Sequence, residues 1–181
     1  MANHEERREF VPSVHMIMGI NKSSNKANPP VIRRVIHRSV TEALLTFRPM
    51  LKTLGGEWRI HHTVNARDVE KARRHLLCNI IMHPEKANSI DIEWRTSLLQ
   101  RHCIYGEKRW MLDIDTKDKD IINHLRHDLV VPYGKLITYI ETPKGWHFII
   151  KPFDTREICK LDYVTLLRDG YYYMETVGEN K

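Results

Sequence analysis

Two aspartates, Asp113 and Asp115, stand two positions apart at the end of an apolar run that begins at Trp110. Side chains on a β-strand alternate between its two faces, so both carboxylates point the same way while the intervening apolar side chains pack against a core. Neighbouring carboxylates repel each other, and a hard divalent cation such as Mg²⁺ or Mn²⁺ relieves that repulsion by binding their oxygens. The pattern predicts a metal site; the alternative is a strand end whose acids cap the next helix.

A histidine follows on the returning strand of a predicted hairpin, which has strands at 135–141 and 146–151 around the turn 142–145. His147 and Lys151 share the face opposite to the aromatic side chains of that strand. Lys144 lies in the turn beside Gly145, a residue that permits close approach of the backbone. Imidazole and ammonium groups beside a metal are suited to holding phosphate oxygens. The alternative is an ordinary surface histidine, since the chain contains 11 histidines.

Two acids near the last long strand, predicted at 163–169, are candidates for a third carboxylate. Asp169 ends that strand just before Gly170, and Asp162 starts it. The alternative for Asp169 is a turn, because Asp-Gly pairs favour turns. Asp118 and Asp154 are weaker candidates, since they occupy positions where helix caps and loops usually carry acids.

The composition favours a polyanionic partner. The 181 residues include 29 basic and 23 acidic side chains, a net charge of +6, and the pI is near 9.3. A basic surface of this kind suits nucleic acid or nucleotides. Three cysteines far apart in the chain argue against a zinc knuckle or disulfide framework. Because no apolar run approaches the ~20 residues of a membrane span and the N-terminus resembles no signal peptide, we expect a cytoplasmic protein that is not bound to a membrane.

The elements that must position these residues alternate between helix and strand. We expect an N-terminal arm at 1–30, partly irregular, with a short strand near 14–20, and a single domain at 31–181. Within that domain we predict the elements that follow: an amphipathic helix at 31–53 that Pro49 kinks or ends, a strand at 58–64, a helix at 65–82 capped by Asn65, a short helix at 89–99, helices at 118–131 and 155–161, and a strand at 171–177. This order indicates an α+β fold, with an RRM-like antiparallel or mixed sheet in the C-terminal half packed against an N-terminal α/β module.

The order of the three motifs resembles that of the archaeo-eukaryotic primase superfamily, the primase-polymerases, in its compact phage or plasmid forms. The motifs are 112–115 (LDID), 144–147 (KGWH) and 165–169 (TLLRD). The resemblance implies that Asp113, Asp115 and Asp169 are catalytic and bind two Mg²⁺ or Mn²⁺ ions.

The same resemblance implies roles for several basic residues. His147, with Lys144 and Lys151, would hold a nucleoside triphosphate, while Arg59 and Arg67 would contact template or phosphate. The implied partners are nucleoside triphosphates, a single-stranded or template nucleic acid and a separate helicase or replication protein, in the cytoplasm of a host cell if the protein is viral. The sequence departs from cellular members because the arginine-containing segment that often follows the third acid is not evident after Asp169, and we expect neither a helicase nor a zinc-binding priming domain. These departures count against de novo priming more than against nucleotide binding, and the choice between priming and extension stays open.

Three other functions remain open on the sequence alone. An RRM-like binding module without catalysis would stack bases on Tyr139 and on the tyrosines at 171–173. A haloacid-dehalogenase-like phosphatase would use Asp113 as a nucleophile, but this chain lacks the glycine which that family usually has near Thr116. A two-metal nuclease would use the same three acids.

Overall fold

The computed structural model describes residues 13–23, 31–130 and 134–178. Within these ranges the chain forms an α+β fold with two antiparallel sheets and four helices, which confirms the predicted fold class. None of the helices in the described ranges has the length and apolar character that a membrane crossing requires.

The first sheet combines strands from both ends of the chain. Its order is β2-β1-β3-β9, formed by Val31–His37, Ser13–Asn21, Trp58–Thr63 and Tyr171–Val177, and the short β4, Arg67–Asp68, also pairs with β1. Helix α1, Val40–Leu54, packs Phe47 and Leu51 against Ile17 and Ile60 on one face. Helices α2, Val69–Met82, and α3, Ile90–Leu98, pack against the alternate residues of β1.

The second sheet carries the predicted site motifs. Its order is β6-β7-β5-β8, formed by Leu136–Glu141, Trp146–Ile150, Trp110–Ile114 and Val164–Leu167. Helix α4, Lys119–His124, continues as a π-helical turn, Leu125–Val130, and covers one face of this sheet with Ile122 and Leu125. The opposite face meets the first sheet where Met111 and Ile149 contact Val64. The two sheets therefore face each other at the side that carries Asp113.

The helix predicted at 31–53 is wrong in its first part. Residues Val31–His37 form strand β2, and the helix begins at Val40, after the hydroxyl of Ser39 accepts a hydrogen bond from the Glu42 N–H. The β-branched residues of 31–36 favour a pleated strand beside β1. Pro49 does not end the helix, which continues to Leu54. The carbonyl that loses its helical partner belongs to Leu45, an exposed residue that water can reach.

The short strand predicted near 14–20 in the N-terminal arm is confirmed as β1, Ser13–Asn21. Residues 13–21 lie between β2 and β3 at the centre of the first sheet, because their apolar side chains pack on both sheet faces. Residues 1–12 and 24–30 of that arm lie outside the described residues. Helix α2 is capped by Asp68, whose carboxylate accepts from the Lys71 N–H, and Asn65 is used elsewhere. The helix predicted at 155–161 is a single 3₁₀ turn, Ile158–Lys160.

Candidate functional site

A cleft of about 140 Å³ lies between the two sheets, at the end of the interface where β5 ends and the β6–β7 turn begins. Both sheets and the turn contribute to its lining, which consists of Arg59, His61, Asp113, Asp115, Thr142, Pro143, Lys144, His147 and Tyr173. Five of the residues singled out in the sequence thus share one cavity: the two aspartates, His147, Lys144 and Arg59.

The register of β5 and β7 brings the central pair together. Asp113 lies directly opposite His147, and Nε2 of His147 is 3.3 Å from Oδ1 of Asp113. His147 is 8% exposed, whereas the Asp113 side chain is 37% exposed. Asp115 lies just beyond the end of β5, where its N–H donates to the Tyr163 carbonyl and its side chain is exposed. One carboxylate is therefore held by the sheet, while the other faces the open side of the cleft.

A contact from the first sheet fixes the tautomer of His147. The backbone N–H of Tyr173, on β9, donates a 3.0 Å hydrogen bond to Nδ1 of His147. A backbone N–H is always a donor, so Nδ1 acts as the acceptor and the proton of the neutral ring is on Nε2, facing Asp113. His147 is accordingly built to donate a hydrogen bond into the cleft rather than to accept a proton there.

The β6–β7 turn is held tightly against the end of β5. Thr142 and Gly145 close it, with the Thr142 N–H donating to the Gly145 carbonyl at 2.7 Å and the Gly145 N–H donating to the Thr142 hydroxyl at 3.0 Å. A Cβ atom at Gly145 would collide with the carbonyl oxygen of Ile114. The close backbone approach predicted for Gly145 is confirmed, and it places the Lys144 segment beside Asp115.

Strand β3 supplies the opposite wall. Arg59 lines it, with Nε 3.6 Å from a carboxylate oxygen of Glu57 and without a hydrogen-bond partner. His61 is two positions further along, and burial lowers its pKa to about 4, so its ring is neutral near neutral pH. Sequence reasoning missed His61 and Tyr173 as cleft residues. The alternation of Arg59 and His61 along one strand was an available signal for the first, but nothing local reports that β9 crosses to the cleft.

Asp169 and Arg67 are brought together, but away from this cleft. Nη2 of Arg67, which is 1% exposed, lies 2.7 Å from Oδ1 of Asp169, and the Asn65 amide donates to the same oxygen at 3.2 Å. On β8, the residue opposite Asp113 is Thr165. Asp169 lies four positions further along the chain, roughly 13 Å away along the strand direction. The structure thus gives Asp169 a buried arginine as its partner.

The other candidate residues also have partners outside the cleft. Lys151 is 3.9 Å from Glu107, and Asp118 caps α4 by accepting from the Asp120 N–H. Asp154 binds Arg156, whose hydrogen bonds lower the pKa of the carboxyl to about 2. Asp162 is exposed before β8 and does not line the cleft.

The carboxylates of Asp113 and Asp115 are too few to form a complete metal site by themselves. Within the described residues, no group of three or more His, Cys, Asp and Glu side chains is arranged to hold a metal ion. Asp113 and Asp115 offer two carboxylates, and Mg²⁺ commonly binds through one or two carboxylates together with phosphate oxygens and water. The donor set is therefore suited to a metal that arrives with a phosphate-bearing ligand.

The tyrosines predicted to stack bases are engaged in contacts within the protein. Tyr172 packs against the rings of His62 and His147, and Tyr173 packs against His61. Tyr139 lies on the face that α4 covers, with the Arg126 guanidinium 5.2 Å from its ring centre.

Comparison with known proteins identifies no relative. No protein-family model, no curated protein and no solved structure matches this chain.

Proposed function

We propose that this protein is a metal-dependent nucleotidyltransferase of the primase-polymerase type, which binds a nucleoside triphosphate in the cleft and adds nucleotides to a nucleic-acid strand. The observation that carries the proposal is the meeting of Asp113, Asp115 and His147 with Lys144 and Arg59 in one cavity between the sheets. These residues come from three separate segments of the chain, so their meeting is a property of the fold.

The charges of the cleft complement a metal–triphosphate complex. Asp113 and Asp115 supply oxygen ligands to Mg²⁺ or Mn²⁺, while the cations of Arg59 and Lys144 attract the phosphate oxygens on the other side. Nε of Arg59 is buried and lies 3.6 Å from a Glu57 carboxylate oxygen, which holds the guanidinium at the wall of the cleft. The cavity volume of about 140 Å³ suits phosphates and a metal more than a whole nucleotide, so the base would extend out of it.

Each residue then has a distinct part in the reaction. In the reaction, the 3′-hydroxyl of the strand attacks the α-phosphorus of the nucleoside triphosphate, the α–β phosphoanhydride bond breaks, and pyrophosphate leaves in line. When bound, the metal would neutralise the charge that develops on the phosphates. Nε2 of His147 lies 3.3 Å from Asp113, and its N–H would be placed to donate to a phosphate oxygen beside that carboxylate. Because Nδ1 is occupied by the Tyr173 N–H, the ring keeps this orientation when the ligand changes.

We also propose that the second sheet is RRM-like, and its topology supports this. In chain order the elements are β5, α4, β6, β7, a 3₁₀ turn and β8, and the sheet order is β6-β7-β5-β8. This is the arrangement of a β-α-β-β-α-β unit with the second helix reduced to one turn. The acidic motif on the first strand of the unit and the histidine on the third strand are neighbours for this reason.

A non-catalytic RRM-like binding module is less well supported. Such modules stack bases on the open face of the sheet. Here that face is covered where Met111 and Ile149 meet Val64 of the first sheet, and the tyrosines of β9 are engaged in that interface. The remaining opening is the charged cleft, which favours phosphate over bases.

The test is extension of a labelled primer on a template by the full chain, with Mn²⁺ and either ribo- or deoxyribonucleoside triphosphates. We expect the primer to lengthen, and Asp113→Asn and Asp115→Asn to abolish this. Asp120→Asn, an exposed acid in α4, is the matched control that should keep full activity. Shortening of the primer would instead identify a nuclease. Phosphate release from a simple phosphoester would identify a phosphatase, and nucleic-acid binding without metal would identify a binding module; each overturns the proposal.

A further inference from the structure

Strand β6 forms an edge of the second sheet and is apolar and accessible. Ile137 is 39% exposed and Tyr139 is 41% exposed, and β6 pairs only with β7 among the described strands. We propose that two copies of this chain associate through this edge, with β6 of one copy pairing antiparallel to β6 of the other around a two-fold axis at Thr138.

The backbone of β6 has hydrogen-bonding groups available for such a partner. The Thr142 N–H donates to the Gly145 carbonyl at the turn, so the backbone N–H of Thr142 is directed toward β7. Because hydrogen-bonded pairs alternate along an antiparallel ladder, Ile140 and Thr138 face β7, whereas Tyr139 and Glu141 direct their N–H and C=O groups outward. A bulge between Leu136 and Thr138 also leaves Ile137 without a partner residue on β7.

Strands β8 and β9, which form edges of the two sheets, are protected in ways that β6 is not. Strand β8 has only four residues and is followed by Arg168. On β9, the Tyr173 N–H already donates a hydrogen bond to His147. Short strands, charges and covering contacts are the usual means of preventing edge-to-edge pairing. Residues 136–140 of β6 contain neither a charge nor a proline.

The sequence of β6 is complementary to itself when it is reversed. In the seven residues 135–141, KLITYIE, antiparallel pairing about Thr138 sets Lys135 opposite Glu141 and Ile137 opposite Tyr139. The symmetry repeats each pair, so the interface contains two opposite-charge pairs at its ends and two apolar pairs near its centre. This register also sets the outward backbone groups of Tyr139 opposite Ile137, which has no partner residue on β7. Lys135 precedes β6, and its carbonyl accepts a hydrogen bond from the Lys151 N–H, so its pairing with Glu141 is one of side chains only. The side chains therefore select this register.

The interface is small, so we expect a weak dimer whose population depends on concentration. Two paired strands bury less than the roughly 1,200 Å² of the smallest stable interfaces. Glu141 already lies 3.4 Å from Lys117, but both side chains are more than half exposed, and such exposed pairs contribute little. Glu141 can therefore exchange its contact with Lys117 for a contact with Lys135 of a second copy at little cost in free energy.

Charge reversal tests the register directly in sedimentation experiments over a range of protein concentrations. We expect Lys135→Glu and Glu141→Lys each to weaken the dimer about tenfold, since each sets two like charges opposite each other. The double variant restores both pairs with reversed sign and should recover the parent affinity. Lys52→Glu, an exposed residue of α1, is the control and should leave the dimer unchanged. A chain that stays monomeric at all concentrations, or a double variant that remains weak, overturns the proposal.

A cysteine at the two-fold axis gives a second test. Thr138 would face its own copy in a non-hydrogen-bonded pair, where the Cα atoms are about 4.5 Å apart, a separation that a disulfide can bridge. In a background with Cys78→Ser and Cys159→Ser, which removes the exposed thiols, we expect Thr138→Cys to form a covalent dimer on mild oxidation. Thr96→Cys, exposed on α3, is the control. Equal cross-linking of the two variants would show that β6 does not pair in this register.

Discussion

The backbone N–H of Tyr173 on the first sheet donates a 3.0 Å hydrogen bond to Nδ1 of His147 on the second sheet. This hydrogen bond helps to join the sheets at the cleft and fixes the ring that faces Asp113. A buried imidazole that accepts from a backbone N–H has both a structural and a chemical function, and the two can be separated by substitution because they use different ring nitrogens.

Replacement of His147 by Asn or Gln should separate these functions. The amide oxygen of Asn lies near the position of Nδ1 and can accept from the Tyr173 N–H, whereas the amide of Gln reaches the position of Nε2. We expect His147→Asn to unfold at nearly the parental urea concentration but to bind a nucleoside triphosphate about tenfold more weakly. His147→Gln should lose about 1–3 kcal/mol of stability, because the Tyr173 N–H is left unpaired. Equal effects of both variants on stability would contradict this division.

Asp169 should matter for stability rather than for metal binding. Its carboxylate partners Arg67, which is 1% exposed. Removal of the carboxylate leaves a buried charge without compensation, a change that typically costs about 3–5 kcal/mol. We expect Asp169→Ala to lower the free energy of unfolding by about this amount, while the folded protein keeps its affinity for Mn²⁺ in the presence of nucleotide. The opposite result, lost metal binding at unchanged stability, would make Asp169 the third metal ligand that the primase resemblance implies.

Three partly buried histidines, His15, His61 and His62, make the fold sensitive to acid, because burial lowers the pKa of each. Burial lowers the pKa of His61 and of His62 from 6.5 to about 4. The unfolded chain therefore takes up these protons near pH 6.5, while the folded chain does so only near pH 4. The stability that the neutral rings provide is complete above about pH 6.5 and is lost progressively down to about pH 4, by as much as about 3 kcal/mol for each residue.

Urea unfolding between these two pH values checks this prediction. His62→Asn keeps a donor for the Thr63 carbonyl, which Nδ1 of His62 now contacts at 2.8 Å, but it does not titrate. We expect this variant to reduce the pH dependence of the unfolding free energy by about a third, since it removes one of the three histidines whose pKa burial lowers, His15, His61 and His62. His102→Asn is the exposed control and should leave the slope unchanged. An unaltered slope in His62→Asn would show that this ring does not carry the acid sensitivity.

Features that depend on residues close together in the chain could be predicted from the sequence, whereas features that depend on distant pairing could not. The strand of Asp113, the β6–β7 hairpin and the close approach at Gly145 depend on alternation and turn chemistry within a few residues, and they were predictable. Strand β2 was assigned to a helix because its apolar residues continue the spacing of α1, and pairing with β1 prevailed. Strand β9 pairs with β3, 108 or more residues earlier in the chain. No local pattern reports such a pairing.

The residues that line the cleft were likewise only partly predictable from the sequence. Asp113, Asp115 and His147 were identified from their strands, and their register brings them together. Asp169 was identified by its position at a strand end, but that position lies beyond the end of β8 that is far from Asp115. Which end of a strand meets the site is set by the register of three strands, which the sequence alone does not specify.

The register also identifies a position where a third carboxylate can be added. Thr165 lies directly opposite Asp113 on β8 and is exposed, so the side chains of the two residues share one face of the sheet. With two carboxylates, the cleft should bind Mn²⁺ weakly until a nucleoside triphosphate supplies further oxygens. We expect Thr165→Asp to raise the affinity for Mn²⁺ about tenfold in the absence of nucleotide, because a third ligand oxygen is then available. Thr165→Asn, of equal size but without the charge, is the matched control, and calorimetric titration with Mn²⁺ distinguishes them. If Thr165→Asp bound Mn²⁺ no better than Thr165→Asn, the metal would not lie beside Asp113 on the side of β8.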